Sequence, residues 1–267
     1  MLNSKSKQTI PADSRSVSRV SNPTRREFLT AAGVAGLGLS IGSNGVAQQN
    51  RAPDAPPIQL VPELKTTPVR HDQPLHNFQM VNVKPLPKDR EGIWVLDFAF
   101  KPLRIKQIEN PNRQQIHYLY YKVVNRTGAP RIFVPQFYMV NEAGTKYPDT
   151  VIPRVIPLIR AREDATIPLL GSVTVMGTIP PSTKQDVDDA VYGVAVWDKW
   201  DPHADRFSIY VRGLSDGYKE LPPSAPGKPP VVKYKTLKID FIRRGDERNL
   251  SEREIQLNDP PTEWVYW

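Results

Sequence analysis

The chain has 267 residues, a formal charge of +8, 28 prolines against 15 glycines, and no cysteine. Hydrophobic residues at 39% with aromatics at 9% argue against wholesale disorder, and the length is ample to bury a core in one large or two small domains. The missing cysteines exclude disulfides, thiol catalysis, iron–sulfur clusters, covalently attached c-type haem and cysteine-ligated zinc or copper.

Residues 1–24 are polar and basic, with Lys5, Lys7, Arg15 and Arg19 and no hydrophobic period. Asn22-Pro23-Thr24-Arg25-Arg26-Glu27-Phe28-Leu29 comes next, then an apolar run from Ala31 to Gly42 and the small residues Gly45-Val46-Ala47. A charged region, a short apolar region and a small-residue site, in that order, are the parts of an export signal. The run is about 12 residues long, whereas a spanning helix needs roughly 20, so a permanent anchor is not expected. Arg25-Arg26 ahead of Glu-Phe-Leu resembles the twin-arginine (Tat) signal, which routes folded proteins across a bacterial inner membrane. That resemblance implies a signal peptide over residues 1–47, handling by the Tat translocase and then by signal peptidase at Ala47. It also implies a mature chain in the periplasm, the cell envelope or outside. Residues 1–47 hold six basic and two acidic side chains, so half of the +8 leaves with the signal. The +4 that remains is ordinary for a soluble domain, and a nucleic-acid partner is not expected.

Residues 48–78 are proline-rich and aperiodic, and read as a semi-rigid linker, with an extended strap along the domain surface as the alternative. The β-sandwich domain is expected over 79–220. From Ile93 the pattern is strand-like, with Trp94, Leu96, Phe98 and Phe100 on one face and Asp97 on the other. Ile116 to Val124 is rich in aromatic and β-branched residues and ends at the turn Asn125-Arg126-Thr127-Gly128. Arg131 to Val140 is another run, with Pro135 suggesting an edge or a bulge, and Asn141-Glu142-Ala143-Gly144 turns the chain towards Tyr147. Ile152 to Ile167 is ambiguous: its prolines forbid a long helix, although Pro157 can begin a short one through Ala161. Gly171 to Ile179 reads as a strand. Asp186, Asp188 and Asp189 read as a charged loop, and Ala190–Trp197 with Arg206–Arg212 as a hairpin joined by Asp198 to Asp205. Residues 221–230 form a second proline-rich connection, and 231–267 hold further strands packing on or beside the sandwich. Ser251 to Glu254 matches a capping box, but too few residues follow it for a stable helix.

Seven to nine short strands with frequent turns and no βαβ helices indicate an all-β fold, an antiparallel sandwich of two sheets. Asn125 to Gly128, Asn141 to Tyr147 and Gly171 to Pro180 occur in an order that resembles secreted bacterial immunoglobulin-like domains over roughly residues 92–214. The resemblance implies an immunoglobulin-like sandwich preceded by the signal and linker region.

The chain has no Gly-x-Ser-x-Gly elbow, no His-Glu-x-x-His and no phosphate or dinucleotide fingerprint, so it nominates no catalytic residue and no cofactor. Its four histidines are His71, His76, His117 and His203. The densest polar cluster is Trp197 to Asp205, where Asp198, Asp201, His203 and Asp205 could supply ligands to a cation. Lys199 opposes that reading, and a solvated turn whose aspartates satisfy backbone donors is the competing one. Trp200 is a candidate ligand contact, against the preferred reading in which it folds back onto the sandwich rim. Trp264, Tyr266 and Trp267 raise the same choice. The functional expectation is an exported protein with a binding or structural role, its partner an unknown envelope protein or glycan. The alternatives are a polysaccharide hydrolase with an Asp/Glu pair, which needs no local motif, and a carbohydrate-binding module using exposed aromatics.

Overall fold

In a computed structural model of the protein, residues 61–70, 78–81, 89–108, 115–223, 225, 227–244 and 254–267 are described. The signal residues Arg25, Arg26 and Ala47 lie outside the described residues, as do His71 and His76. The chain passes through β1 (Thr67–Arg70), β2 (Gln79–Met80), β3 (Asp97–Phe100), β4 (Arg104–Gln107) and β5 (Gln115–Val124). After β6 (Arg131–Phe133), β7 (Gln136–Asn141) and β8 (Lys146–Pro148) comes α1 (Ile156–Glu163). Then follow β9 (Leu170–Gly171), β10 (Gly177–Ile179), β11 (Val187–Trp197), β12 (Arg206–Arg212), β13 (Tyr218–Leu221), β14 (Val231–Ile242) and β15 (Gln256–Tyr266).

Two sheets packed face to face make an all-β sandwich, as the alternation implies. The first sheet runs β1-β11-β5-β3-β2, with β4 beside β5 and a short parallel β9 beside β11; its other pairs are antiparallel. The second runs β13-β14-β12-β7-β8 with β15 also on β14, and β6 pairs with β10. Phe98 and Phe100 of β3, Leu119, Tyr121 and Val123 of β5 and Val191 of β11 point into the gap. They meet Phe137, Ile209, Val211, Leu237 and Ile239 from the second sheet. Gly193 on β11 is required by this packing, because any Cβ there would run into the Tyr121 ring.

The first sheet is buried on its other face too. Tyr118, Tyr120, Tyr192, Val194 and Val196 pack under Val69, Ile152, Val155 and Ile159. That double burial is why β5 and β11 read as near-continuous apolar runs, while β7 and β12 alternate. Pro157 sits in the first turn of α1, where a missing N–H costs no hydrogen bond. The helix therefore covers the ambiguous stretch to Glu163, two residues beyond Ala161.

Several segments differ from their sequence reading. Residues 198–205 do not join a hairpin: β11 pairs with β5 and β1, β12 pairs with β14 and β7, and the connection crosses from one sheet to the other. Facing sheets stand about 10 Å apart against about 4.8 Å for paired strands, and an eight-residue loop spans either distance. Arg131 to Val140 is split at Val134-Pro135, since proline cannot donate to a ladder; β6 leaves with β10 and β7 joins the second sheet. Gly171 to Ile179 is interrupted by a 3-10 turn at Ser172–Val175. Asp188 and Asp189 belong to β11, and buried Asp188 is bridged to Arg126 at 2.5 Å. Within the proline-rich 48–78 segment, Thr67–Arg70 is an edge strand with Val69 buried.

Candidate ligand-binding face

The loop from Asp198 to Asp205 closes one end of the sandwich. The Trp197 indole N–H donates to the Tyr147 carbonyl at 3.1 Å, and the Thr150 hydroxyl donates to Asp198 at 2.8 Å. Asp201 accepts from the Asn141 side-chain amide at 3.1 Å and from the His203 backbone N–H at 3.0 Å. The Asp205 carbonyl accepts from the Arg243 backbone N–H at 2.8 Å, while the side chains of His203 and Asp205 are exposed. The aspartates here serve the loop and its neighbours. Among the described residues no three His, Asp or Glu side chains come together to hold a metal ion.

Trp200 turns inward against the core and meets His117 edge-on, ring centres 4.1 Å apart. Beside them lies a cavity of about 10 Å³, near the size of one water molecule, lined by His117, Asn141, Tyr147, Asp201 and Arg243. His117 is buried with Nδ1 unpaired. Burial, helped by the Arg243 charge, pushes its imidazole down to about 3, so it is neutral at physiological pH.

The outer face of the first sheet is roofed. The last helical residue of α1, Glu163, reaches under the helix with a fully buried side chain. It accepts from Lys101 at 2.9 Å, Arg104 at 2.5 Å and the Tyr118 hydroxyl at 2.8 Å. Burial alone would raise its pKa, but hydrogen bonds from Lys101 and Tyr118 and the charges of Lys101 and Arg104 outweigh burial and hold it below the usual range.

Among the described residues, no helix lies on the outer face of the second sheet. Alternation on β7, β12 and β14 puts Tyr138, Ser208, Tyr210, Arg212, Tyr234, Lys238 and Asp240 on it, opposite buried Phe137, Ile209, Val211, Leu237 and Ile239. Trp267, just past β15, is paired main chain to main chain with Tyr234 and lays its indole across these strands. Its ring stacks on Tyr210 with centres 4.5 Å apart at 21°, and meets Tyr138 at 5.3 Å. Lys146 Nζ lies 4.2 Å and the Arg212 guanidinium 5.3 Å from the Trp267 ring centre. Arg212 also donates to the Trp267 main-chain oxygen at 2.8 Å.

Ser208 follows Tyr210 on the same face at a spacing of about 7 Å, and there an open groove of about 220 Å³ begins. Its polar lining includes Glu142, Arg206, Ser208, Lys238, Asp240 and Asn258. The Ser208 hydroxyl donates to Asp240 at 2.5 Å and Lys238 donates to the other oxygen at 2.9 Å. The bond to Asp240, ahead of the carboxylate's charge, raises the Lys238 pKa and keeps it cationic. An aromatic platform running into a groove of hydroxyl, amine, guanidinium and carboxylate groups suits a ligand with flat C–H faces and many hydroxyls.

The three C-terminal aromatics separate by role. Trp264 is buried against the core, Tyr266 donates to Asp89 at 2.6 Å beside the buried Asp89–Lys235 ion pair, and Trp267 forms the platform. Sequence reasoning passed over Tyr138, Tyr210, Arg212 and Lys146. The signal that finds them is tyrosine at the solvent positions of alternating strands, where polar residues are the norm.

No family model matches the chain, and neither do the curated proteins or the solved structures compared with it.

Proposed function

We propose that this chain is an exported protein of the cell envelope that binds glycan through the outer face of its second sheet. The observation that carries the reading is the Trp267–Tyr210–Tyr138 platform opening into the 220 Å³ groove, on the sandwich face that no helix of the described residues covers. Export rests on Arg25, Arg26 and Ala47 in the order of a Tat signal, which makes the Tat translocase and signal peptidase its partners in transit.

The test is affinity electrophoresis of the full chain in gels containing soluble polysaccharides. Wild-type chain is expected to be retarded and Trp267→Ala to run as in a blank gel, because removing the indole removes the stacking surface. Equal mobility of the two in every polymer would sink the glycan reading. Glu142 and Asp240 line the same groove, which favours one second reading, a hydrolase using that pair. Release of reducing ends from a retarding polymer, lost in Asp240→Asn, would move the protein to that class.

A further inference from the structure

We infer that the glycan is acidic: a polymer whose sugars carry carboxylates, paired at the platform by Lys146 and Arg212. This rests on the glycan reading above and specifies its ligand class.

Net charge does not point there, since only about +4 remains after the signal. Local placement does. Elsewhere two of the described cations on aromatic faces are bound to carboxylates, Lys101 to Glu163 and Lys235, over Trp264, to Asp89, while Arg90 on Tyr218, Arg131 on Trp94 and Lys219 on Tyr266 are bound to none among the described residues. At the platform, no ion pair joins Lys146 or Arg212 to an Asp or Glu of the described residues; Arg212 donates to the Trp267 main-chain oxygen, and its Nε is buried without a hydrogen-bond acceptor. The acidic side chains on this face lie elsewhere: Glu142 lines the groove, Asp240 is engaged by Ser208 and Lys238, and Glu263 is opposite Lys238 in the β14–β15 register. The platform end thus presents two cations on one aromatic ring with no Asp or Glu of the described residues paired to either.

The ring geometry states how an acidic sugar would enter. Tyr210 fills one face of the Trp267 indole, so Lys146, 4.2 Å from the ring centre, covers the other. Lys146 is an exposed residue on a flexible stem, and a cation held on a ring at an exposed site gains only about 0.5–1 kcal/mol. A carboxylate offers that ammonium a better partner than the ring does. Lys146 then swings from ring to ligand, which bares the indole for the C–H face of the same sugar. A neutral sugar has to displace the lysine with nothing to give it in exchange. The groove along β12, where Arg206 and Lys238 are balanced by Glu142 and Asp240, takes the next units of the chain through their hydroxyls, so the ligand is a polymer rather than a single acid.

The decisive comparison uses the full chain against polygalacturonate, its fully methyl-esterified form, and hyaluronate as a carboxylate polymer of different backbone. Retardation by both acidic polymers is expected, falling as salt rises from roughly 50 to 300 mM, where screening shortens the reach of charge. The ester should retard the chain about tenfold less, and Lys146→Met should lose about tenfold on the acids, one charged hydrogen bond's worth, while binding the ester at least as well as wild type, since no ammonium then has to leave the indole. Lys146 is exposed, so its loss leaves the melting curve in place, and Trp267→Ala abolishes retardation by all three. Equal binding to acid and ester overturns the acidic inference and leaves the glycan reading standing. No retardation by any of the three overturns both. Retardation that survives Trp267→Ala is bare ionic adsorption and also overturns the inference.

Discussion

Glu163 and His117 are both buried ionisable side chains, and the fold treats them in opposite ways. Glu163 is given three donors and kept charged; its carboxylate is the counter-charge that lets Lys101 and Arg104 lie under α1. Truncating one member of such a group leaves the others buried and uncompensated. Glu163→Ala is therefore expected to lower stability by about 3 kcal/mol in urea unfolding, and Glu163→Gln by less because the amide oxygen still accepts. Its pKa is depressed on folding, so its contribution is present above the unfolded carboxyl range and disappears as pH falls through the folded value. His117 is kept neutral instead. Its folded pKa of about 3 lies below the unfolded value of 6.5, so between those limits the unfolded chain binds the extra proton and acid favours unfolding. From pH 7 to pH 5 this costs about 2 kcal/mol, at roughly 1.4 kcal/mol per pKa unit. Urea melts at the two pH values should show that loss in wild type and a much smaller one in His117→Gln; identical pH slopes would remove His117 from the account.

At the scale of elements, α1 is held by one buried anchor and the ionic group beneath it. Ile159 is fully buried and Leu158 is 44% exposed, although they are neighbours of similar chemistry. Ile159→Ala should cost about 2–4 kcal/mol and Leu158→Ala no more than about 0.5 kcal/mol, measured by the shift in urea midpoint. Much of this layout was legible. The alternation of Leu96, Phe98 and Phe100 foretold the inner face of β3, and Asn125 to Gly128 marked a true turn. There the Asn125 amide donates to the Ala129 and Ile179 carbonyls at 2.8 Å each. What misled was the link between β11 and β12, because eight residues fit a hairpin and a crossing equally well. The discriminating mark was burial pattern: Ala190 to Trp197 is apolar throughout, as a strand covered on both faces must be, whereas Phe207, Ile209 and Val211 alternate with Ser208 and Tyr210. Two strands of one hairpin would share one pattern. The candidate site was half legible for a similar reason. Trp267 stood out as a C-terminal aromatic, but its neighbours Tyr138 and Tyr210 come from strands far apart in sequence, and only β-sheet register sets them side by side.

At the scale of the whole molecule, the two sheets have unlike outer faces. One is sealed by α1 and the segments beside it, and the other presents aromatics, cations and a groove. That asymmetry suits a division of labour, with stability resting on the doubly buried sheet and the proposed recognition on the singly buried one. It also bears on export. The buried charges Glu163, Asp188 and Lys235 are paired within the fold, and with no cysteine in the sequence nothing in it waits for an oxidising compartment. On the proposed Tat route, such a chain is expected to reach its final fold in the reducing cytoplasm and to cross the membrane folded. Replacing both arginines, Arg25→Lys with Arg26→Lys, should hold the protein inside the cell at full length. The retained protein should show the same circular dichroism and urea midpoint as the exported form. The exported wild type should begin at Gln48 by mass spectrometry of the envelope fraction. Export of the double variant at the wild-type level would disprove the Tat route. A retained but unfolded variant would show instead that this sandwich completes its folding only after crossing the membrane.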